Sequence, residues 1–509
     1  MTHLFPFFFI GNDTGACPVV IGAYRALNYR ISSMNMIKQK KGLLRISHFT
    51  FLLVGVMIVI SAFSGWQYNP SSSPDRPNII IFIADDAGWR DFGIYGNEVV
   101  KTPHVDELGK GGLLFHNAFL TTPQCSPSRI SILTGLYPHA TGAEDLHMPL
   151  PSGMKILPGF LNDIGYTTGH MQKTHYGPNA EKQFDWYSEN LSVDFPAFLK
   201  ASNGSPFFLW VGFHDPHRTY GDAPKVHMPG DVEVPPHLAN DAATRTDLAA
   251  YYDEIARMDG EIGSFIDVLE SRALRENTII IFLSDNGAPF PREKGTLYDS
   301  GIKTPMIVNW PANIESGREF EGLSSVIDLT PTILSLAGVQ VPEEIQGQSV
   351  LDIWLNNSEE GREFVFSERN WHDADEHMRS VRTERFKLIR NDAYTELPHG
   401  TPADIGGSPS FRSLIQKKEE GNLTYAQSRL FEVPRPRIEF YDLSNDPWEV
   451  SNVAAHPDYW QMARELATVL DSWMEETGDF PPHKRVRDDH TDRMTGVWFS
   501  DEIPPMRNK

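Results

Sequence analysis

The sequence predicts an α/β fold: a mixed, mainly parallel sheet sandwiched by helices, with a smaller C-terminal α+β subdomain carrying an antiparallel sheet. Three observations carry this. Apolar runs at 78–84, 206–213 and 278–284 are short and almost uninterrupted. Strands that are apolar throughout belong to parallel sheets covered on both faces. A long amphipathic stretch separates the second and third runs, and beyond about residue 356 short strand-like pieces take over.

The chain begins with a targeting pattern. Residues 36–64 open with Lys38, Lys40, Lys41 and Arg45, continue through an apolar run from about Phe49 to Phe63, and end among Ser61, Ala62 and Ser64. This is the layout of a secretory signal peptide. The run is shorter than the roughly 20 residues that span a bilayer. The protein is expected to be exported, periplasmic or extracellular, with no stable membrane span after cleavage. Residues 1–35 are expected to be a mis-called start, with Met34 or Met36 as initiator, so that Cys17 is never made. Residues 65–77 read as a Pro/Ser-rich linker.

Residues 78–355 are expected to form the catalytic domain. Its three apolar runs end in Asp85-Asp86, His214-Asp215 and Asp285-Asn286. In open α/β sheets, ligands bind at the carboxyl ends of the strands. Leu248, Tyr252, Ile255, Met258, Ile262, Phe265 and Leu269 advance by three or four, the stripe of a helix packed on a core. Another helix is expected from Asp328, with Thr330 as its cap and Pro331 in its first turn. Residues 356–509 are expected to form the C-terminal subdomain, with strands near 364–366, 378–381, 386–389 and 440–441. A loop-rich segment over 396–425 and a last helix over 456–476 complete it.

The 509 residues are 40% hydrophobic and 22% charged, an ordinary globular balance, with a net charge of −22. Residues 1–64 are net basic, so the remaining chain is more acidic still. Such a surface excludes a general nucleic-acid binder. An anionic substrate would need a locally basic pocket.

Asp85-Asp86 and Asp285-Asn286 supply only oxygen donors at two strand ends, which suits Ca²⁺ or Mg²⁺ rather than zinc. An adjacent Asp pair alone is more often a solvated turn; the repetition at a second strand is what raises it. Cys125 precedes Ser126-Pro127-Ser128-Arg129 and a helix expected over 128–136. A helix N-terminus favours an anion, and Arg129 offers a planar donor fork for oxyanions. A lone buried cysteine is more often inert.

Taken with IADDAGW, CSPSRISILTGLYPH, TGHMQKTHYG, FHDPHR, LSDNGAPF and EKGTLYDSGIKTPMIVNWP, Cys-x-Pro-x-Arg resembles the formylglycine motif of type I sulfatases, of the alkaline-phosphatase-like superfamily. The likeness runs from Pro77 to about Asn452. It is strongest to the heparan N-sulfatase (sulfamidase)-like branch, which includes algal-polysaccharide (ulvan) sulfatases. The resemblance implies that Cys125 is oxidised to formylglycine (3-oxoalanine) by a formylglycine-generating or anaerobic sulfatase-maturating enzyme. It implies Ca²⁺ held by Asp85, Asp86, residue 125, Asp285 and Asn286. Arg129 and Lys173 would hold the aldehyde hydrate that attacks sulfur. His175 would take its second proton as sulfate leaves, His214 would protonate the leaving oxygen or nitrogen, and Lys294 would contact the sulfate.

Close sulfamidases carry arginine where Lys294 falls; lysine exchanges a bidentate fork for a point charge, a departure that counts against N-sulfate specificity and leaves sulfatase chemistry intact. His147, His217, Arg218, His372, His377 and Arg379 are candidates for contact with a sulfated oligo- or polysaccharide. The competing readings are an N-sulfoglucosamine sulfohydrolase, a phosphodiester or phosphonate hydrolase of the same superfamily, and a non-catalytic sulfated-glycan-binding protein.

Overall fold

The structure, a computed structural model, describes residues 76–480 other than Asp222 and Tyr394. The segments expected to be a mis-called start (1–35) and a signal peptide (36–64), and the tail beyond 480, lie outside the described residues. Among the described residues no helix is long and apolar enough to cross a membrane.

Eight strands form one sheet: β1 (Asn78–Ala84), β2 (Leu113–Phe119), β3 (Thr167–Gln172), β4 (Trp186–Ser188), β5 (Phe207–Gly212), β6 (Thr278–Ser284), β7 (Lys303–Asn309) and β8 (Arg318–Ser325). Their order is β4-β3-β5-β1-β6-β7-β2-β8. Only β7 runs against its neighbours, β6 and β2; the other pairings are parallel.

The apolar runs are explained by what covers each face. Ile79, Ile81 and Ile83 of β1 pack with Ile130 and Leu133 of the helix Cys125–Thr134, and with Leu157, Leu161 and Ile333. Ile80, Phe82 and Ala84 point the other way, onto Leu248, Ile255, Met258, Ile262 and Phe265 of the helix Ala242–Ser271. With period 2 and both faces covered, no polar position is left from Ile79 to Ala84. Each fully buried Ile or Phe stabilises by roughly 1.5–3 kcal/mol relative to exposure.

The second sheet, β9 (Val365–Arg369), β10 (Met378–Arg382), β11 (Phe386–Asn391) and β12 (Ile438–Asp442), is antiparallel throughout, in order β12-β11-β10-β9. One face carries Val381, Leu388 and Phe440 onto the helix Trp460–Thr477. The other carries Val365, Met378, Ile389 and Tyr441 onto Phe119 at the end of β2 and onto Leu297 and Tyr298. Glu368 N donates to Thr121 O at 2.8 Å, joining this sheet to the loop before Cys125.

Three local expectations are corrected. The helix expected over 128–136 begins at Cys125 itself, after Gln124 in extended conformation. Thr330 is not a cap. Ser325 and Asp328 form a capping box one turn earlier, Asp328 precedes the helix Leu329–Leu336, and Thr330 Oγ1 donates to Ile132 O at 2.7 Å. The segment 396–425 is not mainly loop: it holds the short helix Ala403–Gly406 and the helix Pro409–Glu419. Ser408 caps the latter with Pro409 in its first turn, and Phe411 and Leu414 bury it against the helix Ala242–Ser271 core.

Candidate active site

Because β1, β2, β3, β5 and β6 run parallel, their carboxyl ends meet on one edge. Asp85 and Asp86 follow β1, Cys125 follows β2, Lys173 and His175 follow β3, His214 follows β5, and Asp285 and Asn286 follow β6. Gly212, the last residue of β5, permits the crowding at this edge. A Cβ there would lie 2.2 Å from Lys173 O and 2.6 Å from Arg129 Nη1.

Cys125 opens a ten-residue helix that is buried along its whole length. Its thiol packs against Leu146 and Trp371, with Sγ 3.7 Å from Asp86 Oδ1. Burial pushes the thiol well above its usual range, against the pull of Lys173 and Lys294. An unmodified Cys125 is therefore protonated and a weak nucleophile.

Three carboxylates face three cations around it. Asp285 Oδ2 accepts from Arg129 Nε at 2.8 Å, and Arg129 Nη1 donates to Lys173 O at 3.1 Å. Lys173 Nζ lies 2.5 Å from Asp85 Oδ2. Lys294 Nζ donates to Asp86 Oδ2 at 2.7 Å. Asn286 Nδ2 donates to Asp86 Oδ1 at 2.6 Å, and Asp86 N to Asp285 Oδ1 at 3.1 Å. Asp86 sits at φ 70°, a left-handed conformation that costs a non-glycine residue about 1–3 kcal/mol.

Charges act unequally on these carboxylates. Burial raises Asp85 to about 6, despite Lys173 beside it. Burial also lifts Asp285, but Arg129 and Lys173 outweigh it and hold its carboxyl below the usual range.

The donor set fits a hard divalent cation. Asp85 Oδ1 and Asn286 Oδ1 are buried acceptors with no hydrogen-bond partner, a costly state that a cation would relieve. Asp85, Asp86, Cys125 and His217 bring ligand atoms within 4.8 Å of one another. His217 was expected only to touch substrate; its Nε2 lies 3.7 Å from Asp86 Oδ2.

The histidines divide by environment. His175, at φ 57°, is half-buried, its Nδ1 buried with no hydrogen-bond partner and its ring 4.7 Å from that of His147. Burial, then Lys173 and His147, hold its pKa well below the usual value, so it is neutral. His147 lies lower than usual too, through burial and then His372. His214 is exposed at the edge of the pocket, its pKa lowered by partial burial and then by Lys173. His372 Nδ1 lies 3.0 Å from Asp373 Oδ2.

Three of the expected contact residues lie elsewhere or are already engaged. Arg218 spends its fork on Asp247, at 2.7 and 2.8 Å, and donates Nε to Pro289 O. Its neighbours in FHDPHR are polar, but its side chain turns inward over Tyr220 and Phe290. Arg379 is buried under the second sheet, forked onto Asp479. His377 is fully buried between Asp392 and Asp479, 3.5 and 3.8 Å away. The alternation of β10 sends Arg379 toward Asp479 rather than toward the rim.

Sequence reasoning missed Asp404. Its Oδ2 accepts from Lys294 Nζ at 2.9 Å and lies 3.7 Å from His217 Nε2. Burial raises its pKa, but Lys294, His217 and His372 together outweigh this and hold it far below the carboxylate range. It sits in 396–425, read as loop, with no periodicity or motif to single it out.

Residues 77–339 match the family model described as Sulfatase, and residues 292–427 match that of the N-sulphoglucosamine sulphohydrolase C-terminal region. The chain is 33% identical over 468 residues to N-sulphoglucosamine sulphohydrolase from Homo sapiens, spanning 79% of this chain and 91% of that protein. It is 30% identical over 461 residues to an ulvan-active sulfatase from Formosa agariphila, spanning 80% and 76%. A solved structure in complex with its substrate D-glucosamine-2-N,6-O-disulfate superimposes with TM-score 0.63 at 20% identity, covering 79% of this chain and 98% of that one. The phosphonate monoester hydrolase of Agrobacterium radiobacter superimposes with TM-score 0.59 at 19% identity, covering 79% and 96%. At these identities the two structures speak to the fold alone.

Proposed function

The chain belongs to the sulfatase family, and from that premise we propose that it is an exported, calcium-dependent hydrolase releasing sulfate from a sulfated oligo- or polysaccharide. It is a sulfuric ester hydrolase by family. The observation that carries the finer reading is the pocket of Arg129, Lys173 and Lys294 around a buried cysteine at a helix N-terminus. The three cations are paired with Asp85, Asp86 and Asp285; a divalent cation taken up by those carboxylates would leave positive charge in the pocket for an anionic sulfate group.

A divalent cation on Asp85, Asp86, Asp285, Asn286 and an oxygen of residue 125 would stabilise negative charge developing beside the nucleophile. Formylglycine at position 125 would offer, as its hydrate, the hydroxyl that the protonated thiol does not. The chain's own residues do the rest. Arg129 and Lys173, fixed by their carboxylate partners, orient the group at position 125. Lys294 meets the charge of the transferring sulfate. Neutral His175 accepts a proton at a ring nitrogen from the residue-125 side. His214, exposed beside Lys173, holds a proton for the leaving oxygen or nitrogen once an anionic substrate raises its affinity for it. A formylglycine-generating or anaerobic sulfatase-maturating enzyme would prepare residue 125. The proposed division places catalysis in 78–355 and a covering subdomain in 356–509.

A second reading, an N-sulfoglucosamine sulfohydrolase specifically, is favoured by the match over 292–427. The two are separated by measuring sulfate release from N-sulfoglucosamine against ulvan and carrageenan oligosaccharides, after co-expression with a maturating enzyme. Mass spectrometry of the tryptic peptide containing residue 125 checks the modification. A peptide holding only cysteine, with no sulfate released, would sink the proposal.

A further inference from the structure

We propose that Asp404 is a specificity-determining residue: its carboxylate selects a sugar that presents a hydroxyl or ammonium beside the sulfated position and rejects one with a second anionic group there. This rests on the sulfatase reading above and adds to it the chemistry of the accepted sugar.

Position comes first. Lys294 Nζ is shared between Asp86 Oδ2 at 2.7 Å and Asp404 Oδ2 at 2.9 Å. Asp86 in turn is the neighbour of Cys125 Sγ. Along this chain the side chains open toward solvent, from 0% exposed at Asp86 through 2% at Lys294 to 20% at Asp404. Asp404 is thus the outermost member, on the pocket wall where the sugar body sits once its sulfate reaches Lys294. Its second oxygen, Oδ1, takes no hydrogen bond from the described residues.

The carboxylate is held rather than draped. Asp373 Oδ2 accepts from Ala403 N at 2.8 Å, the residue just before Asp404, and lies 3.0 Å from His372 Nδ1. Ile405 N and Gly406 N both donate to Pro402 O, closing the turn on the other side. Pro402 packs over Gly295, next to Lys294, where a Cβ would come within 3.0 Å of it.

Charge supplies the selection. Arg129, Lys173 and Lys294 are already answered by Asp85, Asp86 and Asp285. A fourth carboxylate weakens the hold on any anion unless the substrate meets it with a donor. A hydroxyl or ammonium does so; a carboxylate or second sulfate brings like charges together in a confined site and is disfavoured.

The test uses matched pairs: N-sulfoglucosamine with its 3-O-sulfated form, and galactose 6-sulfate with its 4,6-disulfate. For the wild type, kcat/KM is expected to fall about tenfold or more when the second sulfate is added, mainly through KM. Asp404→Asn should shrink that ratio to about threefold or less, and Asp404→Glu should restore most of it. A uniform loss on both members of each pair would overturn the proposal, because Asp404 would then merely steady Lys294. So would a wild type that does not discriminate. If no sugar is turned over, the sulfatase reading fails separately. Calorimetric affinities of the same four sugars for wild type and Asp404→Asn then give the ratio that decides on Asp404.

Discussion

Arg129 and Asp285 form an ion pair with neither side chain exposed, Nε to Oδ2 at 2.8 Å. One residue lies on the helix after Cys125, the other at the end of β6. Removing one partner of such a pair leaves a buried charge uncompensated, which typically costs about 3–5 kcal/mol. Arg129→Met is therefore expected to lower the melting temperature markedly and to abolish turnover. Added calcium should recover part of the stability, because a cation beside Asp285 replaces some of the lost positive charge. Melting curves with and without calcium check this. An equal loss in both conditions would separate Asp285 from the cation.

Calcium itself should raise the melting temperature of the wild type, since a ligand that binds only the folded state stabilises by RT ln(1 + [L]/Kd), about 2.7 kcal/mol at a hundredfold excess over Kd. Asp85 Oδ1 and Asn286 Oδ1, buried and unpartnered, are the atoms that gain. Asp86→Asn and Asn286→Ala are expected to lose that thermal shift and most activity together. EGTA should silence the wild type reversibly. A thermal shift retained by both variants would count against these ligands.

Gly212 tests the packing of the site rather than its charges. Its missing Cβ leaves room for Lys173 O and Arg129 Nη1, which would otherwise be met at 2.2 and 2.6 Å. Backbone oxygen cannot swing away as a flexible side chain does. Gly212→Ala should cost roughly 1–3 kcal/mol, as overpacking does, and reduce turnover beyond what the stability loss explains. The comparison is kcat at a temperature where both proteins are fully folded.

How far the sequence reached follows from where each residue sits. Asp85, Asp86, Asp285 and Asn286 stood out because β1 is apolar from Ile79 to its last residue and β6 from Ile279 to Leu283, so the polar residues that follow mark the strand ends. The second sheet was legible as short pieces because one face of each strand must be apolar. Arg218 was not: its place beside His214 and His217 says nothing of its side chain, which turns to Asp247. Asp404 was invisible for a different reason. It meets Lys294 across 110 positions, from a short turn with no pattern of its own. Chain adjacency reports strand ends well and convergence from distant segments hardly at all.

Asp479 shows how one such distant contact should govern acid stability. It directly follows Gly478, the residue that ends the last helix, and clamps the helix Trp460–Thr477 to β10 through the Arg379 fork, with Nη2 to Oδ1 at 2.7 Å. His377, His139 and Glu368 surround the pair. Burial alone would raise the Asp479 pKa, but the charge and donors of Arg379, helped by His377 and His139, depress it strongly. A carboxyl depressed in the folded state contributes stability above its unfolded pKa of about 3.9, and loses it as pH falls below that value. Asp479→Asn is thus expected to destabilise by about 3–5 kcal/mol at neutral pH, by stranding Arg379. The gap between wild type and variant should narrow below about pH 4, where the unfolded chain's Asp479 takes up its proton. Urea melts above and below that pH read it directly, and a gap that widens in acid would refute the assignment.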